Sequence, residues 1–122
     1  MKKILWGLCI SICIQSPFLL KAQQSWQQRM ENKARYYTKQ LMRNVKLPDS
    51  LETSVYQINL HVSMRIDSLY AGNYMEHERK PLMRKVFIER DSAYKSIMSQ
   101  QQYLRYDDWQ REQWEKKQAE KK

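Results

Sequence analysis

The chain has 122 residues and a formal net charge of +9, from 22 Lys and Arg against 13 Asp and Glu, with a mean hydropathy of −0.85. A polar chain of this length suits one domain with a thin core. Its two cysteines, Cys9 and Cys13, both fall in the first apolar stretch, which leaves the remainder without a disulfide framework or thiolate metal ligands.

Met1-Lys2-Lys3 precedes an apolar run from Ile4 to Ile14, followed by Pro17 and then Leu20-Lys21-Ala22-Gln23. A charged start, a short apolar core and a small residue after it form the pattern of a secretory signal peptide, with cleavage expected between Ala22 and Gln23. A retained anchor would need about 20 consecutive apolar residues, and Gln15, Ser16, Pro17 and Lys21 interrupt this run. Neither cysteine follows a small residue at the cleavage point, so no lipid anchor is indicated. The expected organisation is a signal peptide over residues 1–22, a helical domain over 23–114 and a charged, fraying tail over 115–122. Loss of Lys2, Lys3 and Lys21 leaves 19 basic and 13 acidic residues, a balance of +6. In an exported chain, expected in the periplasm without stable membrane insertion, that charge suits an anionic membrane surface, an acidic polymer or unfolded polypeptide better than nucleic acid. A solvated helix face satisfies it equally.

The first helix of the domain carries Trp26, Met30, Ala34, Tyr37, Leu41 and Val45 at spacings of three and four, which places them on one stripe. It ends near Lys46, before Pro48. Asp49 and Glu52 have the spacing of a capping box and open a second helix whose stripe is Leu51, Val55, Ile58, Val62, Ile66 (or Arg65) and Leu69. This helix stops at Ala71-Gly72, where glycine is expected in the left-handed cap conformation. Asn73, with Glu76 at the third position, supplies a cap for a third helix bearing Met83, Val86, Phe87, Arg90, Ala93, Tyr94 and Ile97. Pro81 either kinks that helix or begins it, and a continuous, kinked helix is the preferred reading. Ser99 and Gln102 form a further capping box, opening a fourth helix with Tyr103, Tyr106, Trp109 and Gln113. Alternating strand-length patterns are absent, so the fold class is all-α: four helices as two antiparallel hairpins, cradle-like, after the signal segment.

Leu47-Pro48-Asp49-Ser50-Leu51 and Met98-Ser99-Gln100-Gln101-Gln102 occupy the two helix joints, and both resemble the LTxxQ signature of the Spy/CpxP family of periplasmic chaperones. Val55-Tyr56-Gln57-Ile58-Asn59-Leu60 and Glu89-Arg90-Asp91 extend the likeness. In such a motif the leucine packs the hairpin end, the hydroxyl caps the next helix and the glutamine closes the box. Met98, Ser99 and Gln102 keep that logic. At the first joint Leu47 is retained, Pro48 and Leu51 depart from the pattern, and Asp49 with Glu52 is expected to rebuild the box one residue later. The resemblance implies a cradle-shaped homodimer without ATP or another cofactor, whose basic and apolar surface holds unfolding proteins or binds an envelope-stress sensor.

Catalysis needs a nucleophile, a base and an orienting group brought together. After the signal segment there is no cysteine, and His61 and His77, the only histidines, fall on different helices without ligand spacing; no catalytic, cofactor-binding or metal residue is assigned. Met64, Met75, Met83 and Met98 fit core positions better than soft-metal ligands or adaptable client contacts. The eight tyrosines fit positions where the ring packs and the hydroxyl reaches water. Three functional readings follow: an ATP-independent chaperone-like protein holding unfolding polypeptides, a regulatory module binding one envelope signalling protein, and a structural coiled coil. Pro48, Gly72 and Pro81 interrupt the repeat too often for the last.

Overall fold

The computed structural model describes residues 17–121, with side chains from Ser25 onward. The core of the expected signal segment, residues 1–16, therefore lies outside the described residues, as do the side chains of Ala22 and Gln23 at the expected cleavage point. The fold is all-α. Four helices follow one another: α1 (Pro17–Val45), α2 (Glu52–Ala71), α3 (Glu76–Ile97) and α4 (Gln100–Glu120), with a single 3₁₀ turn at Asp49–Leu51 before α2. α4, which takes in residues 115–120 of the charged tail, runs to Glu120, and Glu, Lys, Gln and Ala are strong helix formers even where nothing covers them.

α2 is the central helix, packed along α1 on one side and α3 on the other, while α4 adds to the end of α1. Burial on α1 follows the expected stripe with one exchange. Met30, Ala34, Leu41 and Val45 are buried, but Thr38 is buried in place of Tyr37, which stands 54% exposed. On α2 the innermost line is Val55, Asn59 and Ser63, one residue round from the expected Ile58 and Val62. A helix between two neighbours has a narrow innermost line and two broad flanks, and the aliphatic residues Ile58, Leu60, Val62, Ile66 and Leu69 occupy the flanks, half-buried.

The polar residues on that inner line are tied across the bundle. The Asn59 amide donates to Thr38 Oγ1 on α1 at 3.0 Å, and its carbonyl accepts from the Tyr94 hydroxyl on α3. No buried side-chain polar atom among the described residues lacks a partner, as a thin core requires when an unpaired group costs about 1–3 kcal/mol. Farther along, Tyr106 on α4 donates to Asp91 Oδ1 at 2.6 Å, and its ring meets Tyr94 edge-on with centroids 5.0 Å apart.

Both joints lie at one end of the bundle. Leu47 and Met98 share a single apolar cluster with Leu41, Val45, Val55, Tyr94 and Tyr106. α1 ends there in a Schellman turn: Lys46 takes φ 56°, and the Leu47 N–H reaches back to the Met42 carbonyl at 3.2 Å, the six-to-one bond of that motif. The carbonyls this leaves open are met from α4, where Arg105 donates through Nε to Val45 O at 2.9 Å and through Nη2 to Lys46 O at 3.3 Å.

The glycine expectation is corrected. Gly72 is extended, with φ −78° and ψ 169°, so the left-handed cap belongs to Lys46 instead. α3 is capped at Met75 rather than Asn73 and runs unbroken through Pro81, with the Met75 N–H donating to Glu78 Oε2 at 3.3 Å. Both Pro81 and His77, whose carbonyl loses its partner four residues on, are exposed, and water can serve the freed group.

Candidate binding groove

The joints share the apolar cluster at one end of the bundle; toward the α2–α3 turn, α1, α2 and α3 border a groove of about 430 Å³. Its lining comes from three helices: Trp26 of α1; His61, Met64, Arg65, Ser68 and Leu69 of α2; Leu82, Lys85 and Val86 of α3. Helical spacing explains the arrangement, since positions 61, 64, 65 and 68 on α2 and 82, 85 and 86 on α3 each form one face.

The floor is apolar and the rim cationic. Met64 and Leu82 stand 38% and 37% exposed beside buried Val86, while Arg65 and Lys85 bring positive charge from the two sides. The Trp26 indole N–H donates to the Asp67 carboxylate, which fixes the ring against α2 at the groove edge. Arg65 donates to Glu89 across the α2–α3 interface, and that bond holds the Glu89 carboxyl below its usual range. Lys85 forms no ion pair among the described residues.

On the other side of α3, Lys80, Met83, Arg84, Phe87, Ile88 and Asp91 line a shallower hollow of about 350 Å³. Arg90 lies over the Phe87 ring at 4.9 Å and pairs with Asp91 at 3.0 Å. This hollow has mixed charge along its lining, Lys80 and Arg84 with Asp91.

The capping and joint residues singled out in the sequence sit away from the groove. Ser99 and Gln102 form their reciprocal box: Gln102 N–H donates to Ser99 Oγ at 3.1 Å and Ser99 N–H to Gln102 Oε1 at 2.8 Å. Asp49 and Glu52 do not. Asp49 opens the 3₁₀ turn, its side chain makes no capping bond, and the Glu52 N–H is taken by the Asp49 carbonyl; the extended conformation at Pro48 starts that turn one residue too early for a box. Leu47 and Met98 are buried in the joint cluster. His61 lines the groove whereas His77 lies at the exposed start of α3 beside Glu78, so the two are not brought together. No group of three His, Cys, Asp or Glu with metal-holding geometry occurs among the described residues.

Of the methionines expected in the core, Met98 is buried but Met64 and Met75 are exposed, the latter to 63%. The sequence reading therefore missed Met64, Leu82, Arg65 and Lys85 as groove residues. Their signal was available only as cationic and apolar residues alternating on the flanks of α2 and α3, which periodicity assigns to a solvated face. No family model matches the chain, and neither a curated protein nor a solved structure shows significant similarity to it.

Proposed function

We propose that this chain is an exported, ATP-independent chaperone-like protein that holds unfolding polypeptides in the periplasm. The observation that carries the reading is the α2–α3 groove, in which exposed Met64 and Leu82 lie on an apolar floor between the cations Arg65 and Lys85. An unfolding chain offers apolar side chains with intermittent carboxylates, and such a groove meets both: charge brings the encounter and thioether and aliphatic surface adapts to the sequence that arrives. The resemblance of the two joints to the Spy/CpxP signature supports the same reading. Holding needs no bond made or broken, hence no nucleophile and no cofactor.

The test is aggregation of two unrelated unfolding clients, without ATP, in the presence of the processed chain from Gln23, read by light scattering at several salt concentrations. Suppression of both at near-stoichiometric amounts, weakening as salt screens the rim, is expected. Met64→Glu with Leu82→Glu, at positions exposed enough to leave the fold intact, is expected to abolish most of it. A folded helical sample that protects neither client overturns the proposal and favours a module dedicated to one signalling protein.

A further inference from the structure

The cations of the molecule are unevenly placed. From Ser25 on, α1 carries Arg29, Lys33, Arg35, Lys39 and Arg43 against one acid, Glu31, and Arg35 engages Glu31 at 3.6 Å on the flank of the helix. Successive helical residues turn by about 100°, so the buried line of Met30, Ala34, Leu41 and Val45 puts Arg29, Lys33, Lys39 and Arg43 on the outer half, around Tyr36. All four are exposed, and Tyr36 is 60% exposed. None of the four pairs with a carboxylate among the described residues. The strip from Arg29 to Arg43 is about 21 Å long at 1.5 Å per residue.

We propose that this outer face of α1 is a peripheral docking surface for anionic lipid bilayers. Charge complementarity selects an anionic partner, and the form of the strip selects a bilayer. A protein partner is held at a desolvated apolar hot spot in a pocket, whereas the strip is the convex outer face of one helix with its charge spread along it. A bilayer surface requires spread positive charge and amphipathic rings at headgroup depth. Tyr36 supplies such a ring amid the cations, set edge-on to Tyr37 with centroids 5.6 Å apart. No helix among the described residues is long and apolar enough to cross a membrane, so the contact lies on the surface. α2 packs on the opposite side of α1, and the groove opens between α2 and α3, so docking through α1 leaves the groove free.

The proposal is tested by cosedimentation of the processed chain, whose described packing contacts begin at Trp26, with vesicles of phosphatidylcholine alone and of phosphatidylcholine mixed with phosphatidylglycerol. Binding to the mixed vesicles only, lost at high salt, is the expected result. The combined variant Arg29→Gln, Lys33→Gln, Lys39→Gln and Arg43→Gln is expected to bind roughly several hundredfold more weakly, about fivefold per cation removed. A control losing the same charge elsewhere, Lys80→Gln, Arg84→Gln, Lys116→Gln and Lys117→Gln, should bind nearly as the parent does, and helical circular dichroism establishes that each protein is folded. Failure of the folded parent to bind mixed vesicles, equal weakening in the two variants, or capture by polyglutamate or duplex DNA without vesicle binding overturns the proposal.

Discussion

Asn59 is 4% exposed, and its one amide serves two helices besides its own. Replacing it by alanine strips the Thr38 hydroxyl of its donor and the Tyr94 hydroxyl of its acceptor at once. With about 1–3 kcal/mol for each buried group left unpaired, Asn59→Ala should lose about 2–6 kcal/mol in urea unfolding. A loss below about 1 kcal/mol would mean the three side chains are not joined as described. Tyr94 carries a second consequence, because burial pushes its hydroxyl up to about 12. An unfolded tyrosine ionises near 10, so the folded chain holds a proton that the unfolded chain has released. The contribution is complete below pH 10 and is lost as pH rises through 12, at about 1.4 kcal/mol per pH unit. Helical ellipticity should therefore persist at pH 9 and fall steeply above pH 10, and Tyr94→Phe should flatten that fall. Tyr106, also pushed up by burial, extends the same dependence to more alkaline pH.

Among the elements, the helix ends divide into those a sequence announces and those it conceals. Ser99 with Gln102 announces α4, because both halves of that box lie within four residues and depend on nothing else. The end of α1 has no such sign: a lysine adopts the left-handed conformation because Leu47 must turn back into the joint cluster, and tertiary packing supplies what glycine would give locally. A left-handed non-glycine residue costs about 1–2 kcal/mol, part of which glycine returns through its own greater chain entropy. Lys46→Gly is expected to raise stability by about 0.5–1 kcal/mol, measured by denaturant midpoint. Gly72→Ala, by contrast, should stay within about 0.5 kcal/mol of the parent. Gly72 is extended, and although an added Cβ would come within 2.7 Å of the Tyr74 ring, that ring is 43% exposed and free to swing aside. A large loss at Gly72 with no gain at Lys46 would restore the glycine-capped reading.

For the whole molecule, helix number and order were legible because Pro48, Gly72 and Ser99 punctuate the chain and each affects only its own surroundings. The inner line of α2 was not, because periodicity ranks Ile58 and Val62 above Asn59 and knows nothing of a helix flanked on both sides. The groove was hidden for a related reason. Trp26, Met64 and Leu82 are 38 and 18 residues apart in sequence, and only the packing of three helices sets them around one space. The joints show the reverse case: Leu47 and Met98 were singled out separately, as ends of two hairpins, and the fold makes them neighbours in a single cluster. Charge is distributed at the same scale, one-signed on the outside of α1 and mixed along α4, a contrast that the net value of +9 conceals.

The hold of Arg105 on the carbonyls of Val45 and Lys46 sets an order of events. A ribosome releases the end of α1 some 60 residues before it adds the arginine that covers it. Until then those carbonyls have only water. The hairpin of α1 and α2 can form before the final helix arrives, but its joint is sealed only when Arg105 reaches the Val45 and Lys46 carbonyls.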